Sequence, residues 1–272
     1  MDLNVIKSKL SALQTQKQGG QKRDMSLILW KSAVGKHSVR IVPANWDKSN
    51  PFKEVFVHYG IGNRTMISLI NFGEKDPIVE FAKQLATTGD KENWIMSKKL
   101  EPKMRVFAPV IVRGEEEKGV RLWEFGKQVY AELLSLANDP DVGDFTDVIE
   151  GRDITIETTG PETNGTGFNQ TKVRVRTKIT SLSENAQEVE KWLAEQPEVF
   201  TIFKKYSYDE MKDALLSWLH PEETADVPTI PTVNSAEYAT TNAPAPISKP
   251  ASFSLNAKPK VDIDTEFDEL FK

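Results

Sequence analysis

The chain has 272 residues, no cysteine and a hydrophobic fraction of 39%. That is enough apolar material for one large domain or two small ones, and the lack of cysteine excludes a disulfide framework, a thiolate nucleophile and a cysteine-ligated zinc site. The formal net charge of −5 resides entirely at the end of the chain, where residues 221–272 hold four lysines against four Asp and five Glu, while residues 1–60 hold ten Lys/Arg against four Asp/Glu.

Charge is thus segregated, basic first and acidic last, which suggests a polyanion-facing body with an interaction tail. The longest apolar run, residues 107–112, contains Pro109 and is too short to span a bilayer. The N-terminus lacks the apolar h-region of a signal peptide. An intracellular protein without a membrane segment is expected.

Residues 2–17 place Leu3, Ile6, Leu10 and Leu13 at helical spacing, with Lys7, Lys9 and Lys17 among them. An isolated helix this short is marginal in water, so residues 1–22 read as a basic arm that becomes helical on docking. Residues 26–31, 37–43, 53–59 and 64–72 then read as successive short strands. Asp76-Pro77 opens a helix whose buried stripe is Ile78, Phe81, Ala82 and Leu85. Asp76 suits the N-cap, Pro77 the first turn, and Gly89 closes the helix.

Residues 103–113 and 120–125 form a predicted hairpin around a Glu-rich turn. Residues 126–137 follow as a helix with Val129, Leu133 and Leu136 inside, and residues 138–150 make an acidic loop. A second hairpin is expected from residues 152–159 and 171–181. Ser183 begins another helix, and Ser207 with Glu210 makes a capping box ahead of Met211, Leu215 and Trp218. The body, residues 23–220, is therefore expected to be α+β and β-rich, a barrel elaborated by inserted helices. Residues 221–257, rich in Pro, Thr, Ala and Ser, bury too little apolar surface to offset chain entropy and are expected to be disordered. The end of the 221–272 tail mixes Asp262, Asp264, Glu266, Asp268 and Glu269 with Phe267, Leu270 and Phe271, the composition of a short docking peptide.

Two patterns carry chemistry. In residues 172–179 a strand would place Val173, Val175, Thr177 and Ile179 on one face and Lys172, Arg174, Arg176 and Lys178 on the other. Such a row suits a phosphate backbone; the alternative is a solvated edge guarded by charge. The second pattern interleaves rings and cations: Lys98, Lys99, Lys103, Arg105 and Phe107, then Arg113, Arg121, Trp123, Phe125 and Lys127. Rings that stack on bases beside cations that meet phosphates suit single-stranded nucleic acid. Here the alternative is that Trp123 and Phe125 are core residues.

Catalytic patterns are absent. The three histidines, His37, His58 and His220, lack zinc-ligand spacing. There is no Gly-x-Ser-x-Gly, and Gly35-Lys36-His37-Ser38 has Trp30 where a phosphate loop needs glycine. No catalytic residue, metal or cofactor is expected. The rival reading is a nuclease or nucleotidyl transferase whose acidic loop, residues 139–153, binds metal; a virion or scaffold protein is a third.

The segments Ser38-Val39-Arg40-Ile41-Val42-Pro43, Pro51-Phe52 with His58, Ala108-Pro109-Val110-Ile111-Val112 and, most of all, residues 119–130 give residues 30–156 their resemblance to another sequence group. They resemble the single-stranded DNA-binding proteins of T-even-like phages, the helix-destabilising replication proteins. The resemblance implies an oligonucleotide-binding (OB) barrel, with DNA contacts on Phe107 and Trp123 and, less directly, Arg121 and Lys127. It implies a basic arm for cooperative self-association, in which Lys7, Ser8 and Lys9 sit in a diluted version of the family's motif. It also implies an acidic tail that recruits replication and recombination proteins and competes for the DNA groove, and residence in the cytoplasm of an infected cell. The family's best-known member holds a zinc through three cysteines and a histidine. Here His58 stands at the histidine position, while Asp76 and Val79 fall where a Cys-x-x-Cys would be. The zinc is expected to be lost, its place taken by packing of the helix after Asp76, with His58 an ordinary strand residue.

Overall fold

The computed structural model describes residues 25–62 and 64–220 and, near the C-terminus, Phe267, Leu270 and Phe271. The arm residues Lys7, Ser8 and Lys9, the linker, and Asp262, Asp264, Glu266, Asp268 and Glu269 lie outside the described residues. The fold is α+β. Its strands are β1 (Leu29–Trp30), β2 (Gly35–Ile41), β3 (Lys53–Ile61), β4 (Arg64–Ile67), β5 (Lys103–Val112), β6 (Arg121–Gly126), β7 (Arg152–Thr159) and β8 (Gln170–Ile179). The helices are α1 (Pro77–Thr87), α2 (Lys91–Leu100), α3 (Lys127–Ala137), the single turn α4 (Pro161–Asn164), α5 (Ala186–Ala194) and α6 (Tyr208–Leu219). Among the described residues, no helix is long and apolar enough to cross a membrane.

All eight strands join one mixed sheet whose main path runs β1-β6-β5-β2-β7-β8, with β3 and β4 branching from β5. Strand β5 is the hub. One edge pairs antiparallel with β6; the other pairs with β3 up to Phe107 and with β2 from Val110 onward. Pro109 falls at this hand-over. Its carbonyl accepts from Val42 N at 2.9 Å on the β2 side, so the N–H that proline lacks would also point into the gap between β3 and β2, where no ladder bond is lost.

The central strands are covered on both sides. Trp30, Val106, Ala108, Trp123 and Phe125 pack with Val129 and Leu133 of α3, while Val55, Phe107 and Leu122 pack against Val199. Helix α3 touches β5 and β6 and also β8, at the far end of the path. The sheet therefore curls around α3.

Most elements lie where the sequence puts them, including the capping box at Ser207. Helix α2 is the main element the pattern missed. Its buried face is Asn93, Met96, Ser97 and Leu100, so polar residues interrupt the apolar stripe that periodicity relies on. The expected strand at 26–31 is a 3-10 turn, Met25–Leu27, followed by only two strand residues, and the strand at 64–72 stops at Ile67 before a second 3-10 turn, Leu69–Phe72.

Helices α1, α2 and α6 form a lobe against β3 and β4, with Ile78, Phe81, Leu85, Met96, Leu100, Met211 and Leu215 in its core. One buried carboxylate ties this lobe to the sheet. Asp76 caps α1 by accepting from Ile78 N at 3.0 Å and Val79 N at 3.2 Å on Oδ1. Its Oδ2 accepts from Ser68 Oγ at 2.5 Å, Leu69 N at 2.9 Å and His58 Nε2 at 3.2 Å. The other ring nitrogen of His58 faces the carbonyl of Leu100, the last residue of α2, at 3.0 Å. Each ring nitrogen of His58 thus faces an acceptor, a backbone carbonyl on one side and a carboxylate on the other. The expectation that His58 is an ordinary strand residue is thereby corrected: it is buried and links β3, α1 and α2.

Burial pushes the Asp76 carboxyl up, but hydrogen bonding and charge from His58, with the bonds from Ser68 and Val79, outweigh this and hold it below its ordinary 3.8. Removing one partner from a buried ion pair typically costs about 3–5 kcal/mol, so Asp76→Ala is expected to lower unfolding free energy by about that amount in urea titrations. A depressed folded-state carboxyl stabilises fully above its unfolded value and stops doing so as pH falls through the folded one. The stability gap between wild type and Asp76→Asn should therefore narrow as the pH is lowered into the carboxylate range and below. A gap unchanged down to about pH 2 would contradict this assignment.

Candidate nucleic-acid interface

Among the described residues, strand β8 ends the sheet path and pairs with β7 alone. Val173 is buried and packs in the core with Val175. Lys172, Arg174, Arg176 and Lys178 alternate with these residues and are exposed. Across the ladder Lys172 lies opposite Glu157 and Arg174 opposite Thr155, while Lys36 of β2 flanks Glu157 on its other side. The only bond that these four cations make among the described residues is from Arg176 Nε to Thr155 Oγ1 at 3.3 Å; none has an ion pair. Like charges roughly 7 Å apart along a strand repel by about 0.6 kcal/mol per adjacent pair in water. A polyanion laid along the strand would relieve that repulsion.

The ring pattern resolves differently. Phe107 and Trp123 are each 1% exposed and Phe125 is 2% exposed. Trp123 lies 4.4 Å from Phe125 and 6.1 Å from Trp30 between ring centroids, and Phe107 meets Phe203 edge-on at 5.9 Å. These three rings belong to the core and present no face to a base, which corrects the expectation that they stack on DNA. Three of the expected cations are likewise engaged. Arg121 is buried and donates to Glu115 at 2.8 Å. Arg105 donates to Glu124 at 2.8 Å. Arg113 forks onto Asp153 at 2.9 and 3.1 Å and also reaches the carbonyl of Leu182. Arg40 joins the same Asp153 at 3.4 Å and donates to the carbonyl of Thr180, clamping the end of β8 to β2 and β7. Burial lowers the Arg40 guanidinium from its ordinary value, partly offset by Asp153.

A second exposed group lies around α2. Lys98, Lys99 and Lys103 are exposed; Lys98 pairs with Glu101 at 2.5 Å and Lys103 donates to the Lys98 carbonyl at 3.1 Å. Beside them Trp94 is 52% exposed, with Lys98 Nζ 5.8 Å from its ring centroid. Phe168, in the loop leading into β8, is 55% exposed. Sequence reasoning missed both rings. Lys91, Trp94, Ile95 and Lys98 share an exposed helical face, a stripe legible only once α2 is recognised as a helix. Lys127 is exposed at the start of α3.

The acidic loop turns its carboxylates onto itself. Asp139 accepts from Asp141 N, Asp144 from Thr146 N, Asp147 from Ile149 N and Glu150 N, and Asp153 from the two arginines. Among the described residues no group of three His, Cys, Asp or Glu side chains is arranged to hold a metal ion.

An α+β sheet ending in an exposed row of cations has the charge pattern that suits a polyanion. The chain belongs to the family described as gp32 DNA binding protein like, whose model matches residues 34–216, and it is a DNA-binding protein of that kind. No curated protein matches the chain. The zinc known from the family's best-known member does not fit these residues. The chain has no cysteine, both nitrogens of His58 are engaged, and both oxygens of Asp76 are filled by donors.

The two kinds of ring should part cleanly under mutation. Trp123→Ala is expected to destabilise the protein by about 3–5 kcal/mol, as for large-to-small changes in cores. Trp94→Ala should stay within about 0.5 kcal/mol of wild type, as for exposed positions. Thermal denaturation of both variants checks this; a Trp123→Ala protein as stable as wild type would return that ring to the surface.

Proposed function

We propose that the protein binds single-stranded DNA cooperatively and with little sequence preference, without catalysis. It would coat transient single strands during phage DNA replication, recombination and repair in the cytoplasm of the infected cell. The observation that carries this reading is the β8 row of four exposed cations without ion pairs, in a chain of a DNA-binding family. The phosphate chain runs along Lys172, Arg174, Arg176 and Lys178, with Lys36 on the flank. Exposed rings take the stacking role that the buried ones cannot: Phe168 at the entry to β8 and, beside the second group of cations Lys98 and Lys99, Trp94. Bases stack on any π-face, so such a surface tolerates sequence but requires bases that are unpaired.

The curl of the sheet around α3 supports an OB-type barrel as its architecture. Self-association is assigned to the arm, through Lys7, Ser8 and Lys9, and recruitment of replication and recombination proteins to the tail. The ion pairs of Arg105, Arg113 and Arg121 remove these residues from the proposed DNA contacts.

Fluorescence anisotropy with a labelled oligonucleotide at several salt concentrations tests the reading. Each phosphate neutralised on a single strand contributes about 0.7 to the slope of log affinity against log salt. Replacing the four β8 cations with glutamine should therefore flatten that slope by up to about 3, and Trp94→Ala should weaken binding by about 1–3 kcal/mol. Duplex bound as tightly as single strand, or a slope indifferent to the β8 change, would overturn the assignment.

A further inference from the structure

The acidic tail ends in three described side chains, and all three lie on the α1–α6 lobe. Phe267 is 5% exposed. Its ring meets Phe81 of α1 edge-on at 5.4 Å and lies 4.6 Å from Phe271. Phe271 in turn is 6.3 Å from Tyr208 of α6 and sits under Lys212 Nζ at 4.6 Å. Leu270 packs on the same cluster. An aromatic side chain buried to this degree has left water for a fitted apolar site, and the lysine above Phe271 adds a cation–π contact. Among the described residues, none of the side chains that hold Phe267, Leu270 and Phe271 belongs to β8.

We propose that the face between α1 and α6 is a docking site for the tip of this chain's own tail, a latch that withholds Phe267, Leu270 and Phe271 from other proteins. The occupant is the cis tail because its own side chains are the ones seated there. Residues 221–266 join the tip covalently to the body, and such a linkage gives an effective concentration of about a millimolar. A tip that binds as a free peptide with a dissociation constant of about 100 µM would thus be docked about ten times as often as not. The consequence for recruitment rests on the reading of the tail as a partner-docking peptide; the docking itself does not. With Phe267 buried, a partner that needs that ring must wait for the tip to leave or compete with the lobe for it.

Hydrogen exchange on the full chain tests the latch. Wild type is compared with F267A/F271A at low protein concentration, reading residues 77–87 and 208–219 against β5 and β6. Exchange in α1 and α6 should quicken by about tenfold in the variant, the bias that the tether supplies, while β5 and β6 hold. A free peptide of residues 258–272 should restore protection to the variant and leave wild type unchanged. Equal exchange of α1 and α6 in the two proteins, protection that rises with protein concentration as a tail from a second copy would give, or failure of the peptide to restore the variant would each overturn the latch. A pull-down with replication proteins separately tests recruitment: if both proteins capture none, the tail has no recruiting role, while the exchange result still decides the docking.

Discussion

The helical lobe hangs on one carboxylate. Asp76 accepts five hydrogen bonds, from β3, the turn after β4 and the first turn of α1, and through His58 it reaches the last carbonyl of α2. A charge this deep is tolerated only if every lone pair is satisfied and an opposite charge lies close. Both oxygens of Asp76 are filled by donors and His58 lies against one of them, so four elements are fixed relative to one another around a single side chain. The apolar packing of Ile78, Phe81 and Leu85 then holds α1 against α2 and α6. The cross-link in this chain is a histidine and a carboxylate. Packing supplies the bulk of the lobe, and the ion pair sets its register on the sheet.

That arrangement was only partly legible in the sequence. Asp76-Pro77 announced a capped helix start, and the cap is there. The second use of the carboxylate, to hold His58, cannot be read from spacing, because residues 58 and 76 meet only through the fold. The period-two row on β8 was legible because one face of that strand is open, so alternation in sequence becomes alternation in space. Strand β6 defeated the same reasoning. Leu122, Trp123 and Phe125 are all buried, since helix α3 covers one side and the segment around Val199 the other. On such a strand alternation carries no information about solvent, and Arg121 misled because Glu115, six residues away, neutralises it on the strand's flank. Helix α2 was hidden for a related reason: Asn93 and Ser97 occupy its buried face, and with the helix went Trp94.

Separation of roles follows from this geometry. The sheet's terminal strand presents an exposed row of cations, its central strands supply the hydrophobic core, and the helical lobe holds Phe267, Leu270 and Phe271. The described side chains of the tail, Phe267, Leu270 and Phe271, lie on the lobe.

The central claim is that DNA lies along β8, and chemical footprinting addresses it without altering the protein. Lysine acylation is mapped by mass spectrometry with and without a saturating single-stranded oligonucleotide. The account predicts protection of Lys172, Lys178 and Lys36, with Lys204 and Lys205, which are held in ion pairs with Glu210 and Glu74, unchanged. Protection confined to the lobe, with the β8 lysines as reactive as in free protein, would contradict it.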